Sequence, residues 1–263
     1  MRRFLLIALL FAPYPSPAQN ERPELSIPEP TRKRSTPQPN STFTIVQVDY
    51  TDARKEHDYL TLSAQELVTF TAMATKLEAK LDWRRQTLDD PRIMEALMLY
   101  MTGFDAVMRV DKTEKQNLAR YLKQGGLLFA EDILPLETNI RRSSGITGTP
   151  FDRQFKALIK DPDVLGNAGR YWRKIAKNDP LYSAYFEFRD GPPLSGANRG
   201  NVRALEALEL RGRTAVIFSD LNISWFWGNL EADGRDRSLQ FGSNLVIYAL
   251  TKKFAGRPLP FRR

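Results

Sequence analysis

The chain predicts an α/β domain built on a mainly parallel sheet. Three observations carry that expectation. Apolar, β-branched runs alternate with amphipathic segments from Phe43 to Ala130. The stretch Asn117–Asp132 (NLARYLKQGGLLFAED) reads as a helix end, a Gly-Gly stop and a buried strand that runs out in two carboxylates. About Asp236–Lys253, the chain closes on a helix that is apolar nearly all round, and so deeply packed. Strand, helix, strand, helix, strand in that order implies right-handed crossovers and parallel strands.

Taken in order, Phe43–Val48 (FTIVQV) is a first strand that stops at Asp49-Tyr50. The spacing then predicts a helix from Ser63. Ser63 and Glu66 stand as a capping box, and Leu62 with Leu67 can close a hydrophobic staple around it. Leu67, Phe70, Ala74, Leu77 and Leu81 continue the apolar stripe. Trp83 opens a short second strand before the polar turn Asp89-Asp90-Pro91. Ala96–Met101 is a strand buried on both faces, ending at Thr102-Gly103. Asp111 and Glu114 cap the next helix, which carries Leu118, Tyr121 and Leu122 and stops at Gly125. Leu127–Ala130 is the following buried strand, with Glu131 and Asp132 at its end.

The middle, Leu134–Val202, is long and irregular. Within it Thr149-Pro150 starts a helix bearing Phe151, Phe155, Leu158 and Ile159. The Gly, Pro and Asn clusters around that helix read as loops over one rim. Ala204–Leu210 and Thr214–Phe218 flank Arg211-Gly212-Arg213, a C-terminal hairpin. No internal repeat is present.

Ahead of the domain, Met1–Ala18 has the form of a secretory signal. Arg2 and Arg3 precede the apolar run Phe4–Ala12, and Ser16-Pro17-Ala18 offers small residues for cleavage. That run is short of the roughly 20 residues a membrane-spanning helix needs; a short uncleaved anchor is the alternative. Gln19–Thr42, with five prolines and the basic triplet Arg32-Lys33-Arg34, reads as a disordered linker. Residues 43–255 then form a single domain, followed by a basic tail at 256–263. The mature protein is therefore expected to be periplasmic or extracellular. The net charge of +8, or +6 without Arg2 and Arg3, favours acidic partners. Nucleic acid is not expected, since export separates it from the protein and no basic-aromatic recognition motif is found. Membrane contact is expected only through export or an uncleaved N-terminus. With no cysteine in the chain, disulfides and a lipid-modified cysteine are excluded.

Six stretches, in order, resemble the bacterial family called domain of unknown function 4159. They are FTIVQVDY at Phe43–Tyr50, LYMTGF at Leu99–Phe104, NLARYLKQGGLLFAED at Asn117–Asp132, NDPLYSAYFEF at Asn178–Phe188, LEALELRGRTAVIFSDLN at Leu205–Asn222 and FGSNLVIYALT at Phe241–Thr251. The resemblance implies a three-layer sandwich with a flavodoxin-like sheet, similar to class I glutamine amidotransferases, with helices on both faces. It also implies an exported or membrane-attached protein and brings no established activity. Glu131 stands where the family's usual pair begins with aspartate, which keeps the charge and lengthens the arm.

The residues narrow the chemistry mostly by exclusion. Glutaminase catalysis needs a cysteine nucleophile, and the chain has none. There is no G-x-S-x-G elbow, P-loop, dinucleotide fingerprint or zinc-protease motif. The one histidine, His57, lies in the polar stretch Asp52–Asp58 and reads as solvated or capping. What remains is acidic: Asp49, Glu131, Asp132 and Asp220 follow strand ends, where open α/β sheets bind ligands. Such carboxylates can hold Mg²⁺ or Ca²⁺, act as an acid/base pair, or cap helices and tie loops. Glu131, Asp132 and Asp220 are the candidate catalytic residues. Asp49, Gly103, Asn222, Trp225 and Trp227 are the candidate ligand contacts, with Phe226 turned inward between the two tryptophans. Tyr171 and Trp172 belong to the same aromatic class. The leading expectation is a non-catalytic exported binding or scaffold domain, its acidic and aromatic rim meeting an envelope protein or cell-wall polymer. The alternatives are a carboxylate-dependent hydrolase, metal-assisted or glycosidase-like, and a small-molecule sensor.

Overall fold

Seven strands form one mixed sheet in the order β2-β1-β3-β4-β7-β6-β5. The strands are β1 (Thr42–Val48), β2 (Lys80–Gln86), β3 (Met98–Gly103), β4 (Leu127–Asp132), β5 (Arg173–Lys174), β6 (Glu206–Leu210) and β7 (Arg213–Ser219). The helices are α1 (Asp58–Ala74), α2 (Lys112–Lys123), α3 (Pro150–Lys160), α4 (Ile223–Gly228) and α5 (Arg235–Lys253). The computed structural model describes residues 41–50, 58–104, 107–133, 149–197, 202–254, 259 and 261. The expected signal at Met1–Ala18, all but the last residues of the linker, His57, and the tail apart from Leu259 and Phe261 lie outside the described residues.

Strands β2, β1, β3, β4 and β7 are parallel. Numbered along the chain among themselves, they run 2-1-3-4-5, the flavodoxin-like order, whose switch point lies between β1 and β3. β6 and β5 add antiparallel strands beyond β7. The expected hairpin is present. Arg211 and Gly212 both take positive φ, 52° and 71°, as a two-residue turn matched to strand twist requires.

Alternation along the strands divides the core into two layers. Ile45, Met98, Tyr100 and Phe129 face α1, α4 and α5, while Val46, Leu99, Met101 and Leu128 face α2 and α3. Helices thus cover both faces, as in a three-layer sandwich. α5 is buried for twelve of its residues, and among them Asn244 is a polar pin. Its Oδ1 accepts from Tyr185 N at 3.1 Å and Phe186 N at 2.7 Å, and its Nδ2 donates to Leu181 O and Phe186 O.

Two of the expected helix starts are found where the residues place them. Asp111 and Glu114 form a reciprocal capping box on α2, and Gly125 follows that helix at φ 109°. Thr149 caps α3, its Oγ1 accepting from Phe151 N at 3.1 Å, with Pro150 in the first turn. α1 departs from expectation. It begins at Asp58, five residues before Ser63, so no capping box forms there. Ser63 is instead buried in the helix and donates to Ser224 O of α4 at 2.9 Å, and Glu66 pairs with Arg235 of α5 at 2.6 Å. Partners on neighbouring helices replace the local cap. α1 also ends at Ala74, so Leu77 and Leu81, expected on its stripe, lie outside it, Leu81 within β2.

Candidate functional site

The carboxyl ends of β1, β3, β4 and β7 lie along one rim, and β7 is parallel to β4, so Asp220 shares that rim with the other acids. Consecutive residues on a strand face opposite sides of the sheet. Glu131 and Asp132 are consecutive at the end of β4, so their side chains leave the strand toward opposite layers.

Glu131 is fully buried and turned toward α4. Its Oε1 accepts from Ser219 Oγ at 2.6 Å and Ile223 N at 2.8 Å; its Oε2 accepts from Ser224 N and Ser224 Oγ, each at 2.5 Å. Four donors fill the carboxylate's acceptor sites. The glutamate arm reaches the first N–H groups of α4, where negative charge is favoured. That start needs an unusual backbone, because Asn222 ahead of it is left-handed at φ 58°. Burial pushes the Glu131 carboxyl above its ordinary pKa, and the bonds from Ser219, Ser224 and Ile223 oppose that rise. Tyr100, fully buried nearby, is also raised, first by burial and then by the Glu131 charge.

Asp132 points to the other face and ties down the start of α3. It accepts from Thr149 N at 3.1 Å and from Thr149 Oγ1. Asp220, also buried, accepts from Val202 N at 3.0 Å. The three candidate catalytic acids thus fasten three different segments, and each accepts from a backbone N–H. Among the described residues no group of three or more His, Asp or Glu can hold a metal ion.

The switch-point crevice between β1 and β3 is filled from within. Tyr50 donates its hydroxyl to Thr102 O at 2.6 Å and lies against Phe151, ring centroids 5.8 Å apart. A Cβ at Gly103 would stand 1.9 Å from Tyr50 Oη and 2.7 Å from the Phe151 ring. Gly103 is there to let those rings in, rather than a ligand.

Of the other candidate contacts, Asn222 is buried, with Nδ2 donating to Gly196 O at 3.1 Å. The expected alternation of Trp225, Phe226 and Trp227 is corrected by the helix they form. Trp227 is fully buried against Tyr100 and Phe129, with Nε1 donating to Ser238 O at 2.8 Å. Phe226 is buried as expected, and Trp225 is half-buried, edge-on to Phe226. On a helix, residues 225 and 227 do not share a face.

Two open clefts are found among the described residues. One, of about 580 Å³, lies at the ends of β1 and β2 and is lined by Asp49, Thr87, Asp89, Met108, Arg109, Val110, Asp111 and Glu114. Of the candidates, only Asp49 belongs to it. Burial and the carboxylates of Asp111 and Asp89 raise the Glu114 pKa. The other, of about 540 Å³, is lined by Lys156, Lys160, Arg170 and Trp172. The rule that ligands gather outside strand ends, applied to β2, could have found Asp89. No local pattern marks Lys160 or Arg170, which meet through tertiary packing.

Residues 44–250 match a family model described as Domain of unknown function (DUF4159). No curated protein matches the chain. The matched span runs from β1 to the last turns of α5 and takes in both clefts.

Proposed function

We propose that this chain, which belongs to the domain of unknown function 4159 family, is an exported, non-catalytic binding or scaffold domain of the cell envelope. Its partner surface is the acidic cleft at the ends of β1 and β2, and its partner is a cationic segment of an envelope protein. One observation carries the reading. Glu131, Asp132 and Asp220 are buried and committed to backbone N–H groups, whereas Asp49 and Asp89 line an open cleft together with the capping pair Asp111 and Glu114. A cationic partner would gain Coulomb attraction there without the desolvation cost of a buried pair.

The test is site-specific photocrosslinking of the full chain in its own cells. A crosslinker at Asp89 is expected to trap a discrete adduct, and one at Arg211, on the hairpin at the opposite end of β7, is not. Equal adducts at both sites, or none at Asp89, would overturn the reading. Export is tested by sequencing the mature amino terminus, expected at Gln19 in a periplasmic or culture fraction. A cleft of about 580 Å³ also falls in the size range of small-ligand pockets, roughly 300–1,000 Å³. That favours the sensor as a second reading, which a small-molecule adduct at Asp89 would support in place of a protein one.

A further inference from the structure

The second cleft carries chemistry of the opposite sign. Lys156 is held in place: it pairs with Asp152 and with Glu206, each at 3.0 Å, and sits over the Phe218 ring at 4.5 Å and the Trp172 ring at 5.8 Å. Trp172 is fixed by Phe155 and by an edge contact with Phe218, and remains half-buried. Lys160 and Arg170 are exposed and have no carboxylate partner among the described residues. The cleft therefore combines two uncommitted cations with an indole held rigid from behind, and among the described residues no carboxylate lines it.

It is separate from the acidic cleft. Toward α2, Gln154 of α3 accepts from Met108 N, and Asp161, just past the end of α3, pairs with Lys115; Lys156 reaches Glu206 on the other flank.

We propose that this cleft binds an anionic saccharide. The indole would cover a sugar ring, burying apolar area with a polar edge to spare. Arg170 would take the acid group through its planar fork, with Lys160 as a second point charge. A single indole and two cations fit one or two sugar units. A nucleic-acid strand would call for successive stacking platforms along a basic track. The pairing of this cleft with the acidic one makes the domain a bridge between a polymer and a protein.

The experiment is calorimetric titration of the full chain with oligogalacturonate, alongside a neutral oligosaccharide of equal length, inorganic phosphate and single-stranded RNA. Oligogalacturonate is expected to bind, and the neutral sugar and phosphate alone are not. Loss of one charge-assisted bond is expected to weaken binding about tenfold in Arg170→Gln, with Lys160→Gln weaker still in combination. Both positions are exposed, so folding is preserved, which circular dichroism verifies; Arg170→Lys is expected to restore part of the affinity. Binding that is unchanged in the double variant, absent for oligogalacturonate, or tighter for RNA would overturn the proposal. Because Asp89 crosslinking reads the other cleft, failure here leaves the proposed partner surface standing, and the reverse holds as well.

Discussion

At the ends of β4 and β7, Glu131, Asp132 and Asp220 are buried and bonded to backbone N–H groups, whereas Asp49 and Asp89, beyond the ends of β1 and β2, line an open cleft together with the capping pair Asp111 and Glu114 of α2. The chemistry of the side chains is the same; their place in the sheet differs. β4 is central, with β3 and β7 beside it and helices over both faces, so its end is closed in. β2 is an edge strand, and its side of the rim stays open to water. A carboxylate closed in without donors would cost on the order of several kcal/mol, which is why each of the buried three is bonded. An acid at a strand end is therefore informative about ligands only once the strand's position is known.

The largest expected effect breaks the closed end. Glu131→Ala leaves the Ser219 and Ser224 hydroxyls and two N–H groups without their acceptor, and is expected to cost about 3–5 kcal/mol in urea unfolding. Asp89→Ala, exposed on the open side, is expected to change stability by no more than about 0.5 kcal/mol, as surface substitutions do. Equal losses at the two sites would remove the distinction. Next is Gly103→Ala, which drives a methyl into Tyr50 and Phe151 and is expected to cost about 1–3 kcal/mol; a neutral result would mean that the crevice is not filled. Thr149→Ala removes both the α3 cap and the hydroxyl bonded to Asp132, an expected loss of about 1–2 kcal/mol.

The smallest effect is a slope with pH. Burial raises the folded-state pKa of Glu131 above its ordinary 4.5, so the folded protein holds that proton more tightly than the unfolded chain. Its contribution is full below pH 4.5 and is lost as the pH rises through the raised value. The stability advantage of the wild type over Glu131→Gln is therefore expected to shrink as the pH rises from 4.5. An advantage that widens over the same range would mean the four donors outweigh burial.

Much of the fold was legible because it is written locally. The α2 capping box, the Thr149-Pro150 start and the apolar runs of β3 and β4 each depend on residues within a few positions of one another. The start of α1 was not legible, because Ser63 and Glu66 are satisfied by Ser224 and Arg235, more than 150 residues away. The site was legible as a rim and not as a set of contacts. Trp225 and Trp227 were expected to share an exposed face, and the short helix separates them. Glu131 and Asp132 were found as strand-end acids, but the strand's alternation sends them to opposite layers. Lys160 and Arg170 come together only through the packing of α3 against the turn at Gly166–Arg170.

The measurement that tests the central claim most directly is carbodiimide labelling of the native protein's carboxylates, followed residue by residue by mass spectrometry. Asp89 and Asp111 are expected to label at the rate of exposed acids. Glu131, Asp132 and Asp220 are expected to stay unlabelled until urea unfolds the chain. Labelling of Glu131 in the native protein at a rate matching Asp89 would contradict the account.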